Sequence, residues 1–158
     1  MKNSDTKRIY INLSNISTGG AIQVAMSFID HIVNSEINYK FYFLFSRRLH
    51  KEIKKSHLTP YINQLSYRII SKHLLFFYFT IMQPKKIFTL FGPLYSIKLL
   101  SERDWISGFA QPWILFPENK VYDELDLITR LRFKIIFWIQ KGFFFNSHTL
   151  IVEHEGIK

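Results

Sequence analysis

The chain reads as an α/β fold, with a doubly wound, mostly parallel sheet covered by helices on both faces. Short apolar runs rich in β-branched and aromatic residues alternate with helical patterns from end to end. The run Tyr39 to Phe45 is apolar at nearly every position, as a strand buried on both faces must be. The first strand and helix, between Arg8 and Asn34, are joined by a Ser/Asn-rich loop and the pair Gly19-Gly20.

Taken in order, Ile9, Tyr10, Ile11 and Leu13 make the first strand, Arg8 to Leu13. Ser14 to Thr18 is turn-forming, with Ser17 or Thr18 as a helix cap. The helix from Gly20 to Asn34 lines up Ile22, Val24, Ala25, Phe28, Ile29 and Ile32 on an apolar side. Tyr39 to Phe45 follows as a strand and Arg47 to Ser56 as a basic helix. Leu65 to Ile70 reads as a strand, and Ser71 to Met82 as a helix stopped by Pro84. Lys86 to Phe91 is a strand closed by Gly92-Pro93, and Trp105 to Ala110 another, ending at Gln111-Pro112. A long helix from Tyr122 to about Phe144 carries Arg130, Arg132 and Lys134, and Leu150 to Glu153 is the last strand.

A length of 158 residues suits one domain, here residues 1–158, with a hydrophobic core of its own. The chain has no cysteine, which excludes disulfides and thiolate metal sites. Its polar start, Met1 to Arg8, lacks the apolar region of a signal peptide, and a cytoplasmic location is expected. The longest apolar run, Leu74 to Met82, falls well short of the roughly 20 residues that a membrane span needs. With 21 Lys and Arg against 12 Asp and Glu, the formal charge of +9 calls for an anionic partner. Nucleic acid is not expected, because the aromatics lie in apolar runs where packing accounts for them.

In a parallel sheet the loops after the strands converge on one edge. Three such loops stand out. Ser14 to Gly20 offers hydroxyls, the Asn15 amide and backbone freedom at a helix N-terminus, where unpaired N–H groups and the helix dipole favour anions. Phe91 to Tyr95 is a tight turn that presents Tyr95 or simply ends a strand. Gly108 to Trp113 surrounds one polar side chain, Gln111, with aromatics and proline. His148, Glu153, His154 and Glu155 do not make a metal site, because neighbouring strand residues point to opposite faces. Asp30, Asp104 and Asp126 are isolated acids, and no residue stands out as a catalytic base.

On three segments the chain resembles the N-terminal domain of bacterial glycosyltransferases of the GT-B fold, the group 1 or family 4 type of surface-polysaccharide loci. The segments are Asn12 to Ala25, Ile87 to Tyr95 and Gly108 to Pro117. A closing stretch, Ile151 to Lys158, is similar to one that leads towards the interdomain region in that family. The resemblance implies a Rossmann-like half of a two-domain enzyme. The activity implied is sugar transfer from a nucleotide-diphosphate sugar to a lipid-linked or oligosaccharide acceptor, in lipopolysaccharide, O-antigen or capsule synthesis. It implies Gly19, Gly20 and Gln23 beside the donor phosphates, and Asn15, Tyr95 and Gln111 on the acceptor side. Neither a metal nor any other cofactor is implied.

The donor-binding domain of that family and its Glu-x7-Glu motif have no counterpart here. A separate donor-domain chain is therefore an expected partner, and an anionic surface on the inner face of the cytoplasmic membrane another. The alternative is a non-catalytic fragment, or a partner-binding subunit of a split glycosyltransferase.

Overall fold

A computed structural model describes residues 8–37, 39–94, 104–109, 124–145 and 147–152. The strands are β1 (Arg8–Leu13), β2 (Lys40–Phe45), β3 (Ser66–Ile69), β4 (Lys86–Thr89), β5 (Asp104–Phe109) and β6 (Thr149–Val152). The α-helices are α1 (Gly19–Val33), α2 (Arg47–Ile53), α3 (Thr59–Ile62), α4 (Leu75–Met82) and α5 (Leu127–Phe144), and a 3-10 turn at Lys72–Leu74 leads into α4.

All six strands lie parallel, in the order β3-β2-β1-β4-β5-β6. The fold is α/β and Rossmann-like. Alternation along β1 divides the core. Ile11 and Leu13 pack with Ile22, Ala25 and Ile29 of α1 and with Leu49 and Ile53 of α2. Tyr10 faces the other way and packs with Ile87, Trp105 and the α4 residues Leu75, Tyr78 and Phe79. The central strand is thus apolar on both faces, as the run patterns require.

Differences from the expected elements have local causes. The helix expected from Tyr122 begins at Leu127, because the Asp126 carboxylate accepts the Thr129 amide at 3.0 Å as an N-cap. Those hydrogen bonds from Thr129 hold the Asp126 carboxyl below its ordinary pKa. The helix expected from Ser71 starts as the 3-10 turn. It ends with Gln83 in the left-handed region (φ 44°), immediately before Pro84. One element was not anticipated: α3 is a single turn opened by Thr59-Pro60, too short to show a periodic pattern.

Candidate functional site at the β1–β4 crevice

In this strand order the chain leaves β1 towards β2 but leaves β4 towards β5. The connections after β1 and β4 therefore diverge, and this switch point at the carboxyl edge of the sheet is where an open α/β sheet places its ligand crevice. The N-terminus of α1 stands beside it.

Buried polar side chains build this edge. Asn12, Thr89 and Ser107 lie in register on three adjacent strands, all buried, two residues beyond the apolar row of Tyr10, Ile87 and Trp105. Asn12 Nδ2 donates to Thr89 Oγ1 at 3.4 Å, a long bond. Asn12 Oδ1 accepts from the Ser14 amide at 3.2 Å and from the Ser14 hydroxyl at 2.8 Å. One asparagine thus ties β1 to β4 and starts the turn that follows.

The β1–α1 loop is fastened at two further points. Ser46 at the end of β2 donates its hydroxyl to the Ile16 carbonyl and accepts the Leu49 amide at 3.0 Å, so it also caps α2. The Ile16 side chain is buried in the α1-side core. Asn15 Nδ2 donates to the Phe91 carbonyl, joining the loop after β1 to the loop after β4. Gly92 has φ +80°, and a Cβ there would stand 3.2 Å from Asn15 Nδ2, so both backbone and clasp favour glycine. The Gly92 amide reaches across to the Gly108 carbonyl at 3.2 Å. At Gly108 a Cβ would meet the Leu90 carbonyl oxygen at 1.9 Å, so β4 and β5 approach this closely only because that residue is glycine.

Thr18 occupies the N-cap position of α1, as one of the two expected cap residues, but its hydroxyl caps nothing. The first helical bond runs from the Ile22 amide to the Thr18 carbonyl at 2.9 Å. The amides of Gly19, Gly20 and Ala21 precede it and have no partner within the helix. No acidic residue lies in the first turn. The expected backbone freedom of Gly19 and Gly20 is not used, since neither has a positive φ. A Cβ on either would meet nothing within 4 Å. What the pair supplies is room, since neither glycine carries a side chain and the space a Cβ would take is open. Gln23 is exposed one turn later on the same side as Gly19 and Gly20.

Asn15, Gly19, Gly20 and Gln23 thus belong to one loop and one helix end. Tyr95 and Gln111 lie outside the described residues, as do Glu153, His154 and Glu155. The isolated acids have places of their own: Asp30 Oδ1 pairs with His57 at 3.3 Å, Asp104 starts β5 at the opposite edge, and Asp126 caps α5. His148 Nδ1 accepts the Trp105 amide at 3.4 Å.

Ser14 belongs to the expected loop, whereas Asn12, Ser46, Thr89 and Ser107 were not expected at the site. A polar residue inside an apolar strand, such as Asn12 between Ile11 and Leu13 or Thr89 between Phe88 and Leu90, is the signal for them. Two atoms at this edge, Ser107 Oγ and Asn15 Oδ1, are buried without a hydrogen-bond partner among the described residues. Leaving such an atom unmade costs about 1–3 kcal/mol. The edge therefore carries hydrogen-bonding capacity that the described residues do not consume. Its described polar groups are amides, hydroxyls and a helix N-terminus, a set that binds and orients anions and hydroxyls.

Comparison of the chain with protein-family models, with curated proteins and with solved structures finds no match.

Proposed function

We propose that this chain is a glycosyltransferase domain of the GT-B type, and that its β1–β4 crevice receives the diphosphate of a nucleotide sugar beside a saccharide or lipid-linked acceptor. One observation carries the reading. The first-turn amides of α1 are uncapped at Gly19-Gly20, where the space a Cβ would take is open, beside a crevice whose two loops are clasped by Asn15. The resemblance of Asn12 to Ala25, Ile87 to Tyr95 and Gly108 to Pro117 to that enzyme class supports it.

Transfer of a glycosyl group breaks the bond between the anomeric carbon and the diphosphate oxygen and forms one to the acceptor hydroxyl oxygen, whose proton passes to the departing diphosphate or to water. Negative charge grows on the departing diphosphate. Amides fixed at a helix N-terminus stabilise that charge without having to reorganise. In this reading Gly19 and Gly20 provide the approach, Gln23 adds a side-chain donor one turn on, and Asn15 orders the acceptor side with Tyr95 and Gln111. The surface-polysaccharide pathway and the lipid-linked acceptor rest on the resemblance alone.

Calorimetric titration with nucleotide sugars, nucleoside diphosphates and the matching nucleosides tests the proposal. Saturable binding of the diphosphates, absent for the neutral nucleosides, supports it. A chain that binds none of them at millimolar concentration contradicts a phosphate site in this crevice.

A further inference from the structure

Helix α5 has a second face that is exposed among the described residues. At about 100° per residue, Leu127, Ile128, Leu131, Ile135, Trp138 and Ile139 fall within about one third of the helix circumference. All six are exposed, with Leu127, Ile128 and Trp138 each at least 77% accessible. The buried Phe144 and the stacked pair Phe133 and Phe137 mark the opposite side. The stripe runs the length of the helix and merges at its C-terminal end into an open groove of about 550 Å³ lined by Trp138, Ile139, Lys141, Gly142, Phe143 and Phe145.

Basic residues flank the stripe on both sides. Lys134 and Lys141 border it near Leu127, and Arg132 borders it near Ile139. Together with Arg130 they give the helix four cations, and its sequence contains no acid. No helix of the described residues is long and apolar enough to cross a membrane.

We propose that α5 lies flat on an anionic phospholipid bilayer, its apolar stripe among the upper acyl chains and its flanking cations at the lipid phosphates. Charge selects this occupant. A second copy of the chain, packed stripe to stripe, would bring four cations against four with no acid on either helix. An anionic bilayer complements both parts of the pattern, because Lys and Arg reach headgroups while Trp, Leu and Ile enter the apolar layer. Docking of this helix is independent of whether the β1–β4 crevice takes a nucleotide sugar, so either reading can fail alone.

The test is co-sedimentation of the 158-residue chain with two kinds of vesicle, pure phosphatidylcholine and phosphatidylcholine containing about one third phosphatidylglycerol. Binding to the anionic vesicles is expected to be tighter by about tenfold or more. It should weaken sharply between about 0.1 M and 1 M salt, as the screening length falls from about 10 Å to about 3 Å. Lys134→Gln with Lys141→Gln should remove the preference for anionic lipid, and Leu131→Ser with Ile135→Ser should remove binding. Trp138 emission should shift to the blue on the vesicles, and the shift should vanish in Trp138→Phe. Circular dichroism verifies that each variant is folded. Should the serine pair unfold, the lysine pair and the Trp138 emission decide the outcome.

Absence of vesicle binding overturns the proposal. So does binding that the lysine pair and the serine pair both leave unchanged. A concentration-dependent dimer that the serine pair disperses, with no vesicle binding, would assign the stripe to a protein interface instead.

Discussion

Gly20 separates binding from stability. A carboxylate in the first turn of α1 meets the positive end of the helix dipole and replaces a poor helix former with a better one. Gly20→Glu should therefore raise stability to unfolding by about 1 kcal/mol. The same carboxylate would occupy the place of the ligand phosphate, so diphosphate binding should be lost. Denaturant melts and calorimetry on one preparation check both signs. A variant that is destabilised, or that still binds, would show that the glycine serves the fold rather than a ligand.

His50 supplies a pH-dependent contribution. Its ring is buried beside Phe45, with Nε2 3.4 Å from the Tyr67 hydroxyl. Desolvation first, and then the Lys54 charge, hold its pKa below the ordinary 6.5. The unfolded chain therefore takes up the proton more readily. The contribution of neutral His50 is fully present above about pH 6.5 and fades as the pH falls from there through the lower folded value. Thermal melts across that window should show the midpoint falling with pH, and falling less in His50→Gln. Equal slopes would contradict this assignment.

At the level of elements, Ser46 couples two helix starts. Its hydroxyl caps α2 and holds the Ile16 carbonyl of the loop that leads into α1. Ser46→Ala removes both bonds, and a cost of about 1–2 kcal/mol is expected from equilibrium unfolding. Amide exchange should quicken in the β1–α1 loop as well as in α2. Exchange confined to α2 would mean that the Ile16 bond does not order the loop.

Most elements were legible because their signals are local. The runs Ile9 to Leu13 and Phe41 to Phe45 need no partner to be recognised as strands, and the apolar side of α1 is periodic, although Val24, expected on that side, is exposed. Boundaries depended on single atoms, such as the Asp126 carboxylate that starts α5. The clasp from Asn15 to Phe91 and the bond from Asn12 to Thr89 join positions 76 and 77 residues apart, and no local pattern encodes them. Gly19 and Gly20 were legible as a place, while their contribution, room rather than freedom, follows only from their dihedrals and surroundings.

For the whole molecule, strand order makes the site. Alternation of strand and helix predicts that loops gather on one edge, but only the order β3-β2-β1-β4-β5-β6 selects the loops after β1 and β4 as the pair that parts there. The fold sets uncapped amides, a clasped pair of loops and the Ser107 hydroxyl, unpartnered among the described residues, along that edge. On α5 it leaves an apolar stripe between cations. The two proposals, an anionic donor at one surface and an anionic bilayer at another, would give the charge of +9 two uses.

The decisive measurement is the amide NMR spectrum of the ¹⁵N-labelled chain, titrated with inorganic diphosphate and then with a nucleoside diphosphate. A ligand held by the α1 N-terminus should move the Gly19, Gly20 and Ala21 resonances most, saturably, and in Gly20→Glu the Gly19 and Ala21 resonances should stay unmoved. Shifts spread over the basic helices α2 and α5, with none at Gly19 to Ala21, would contradict an anion site at the β1–β4 crevice.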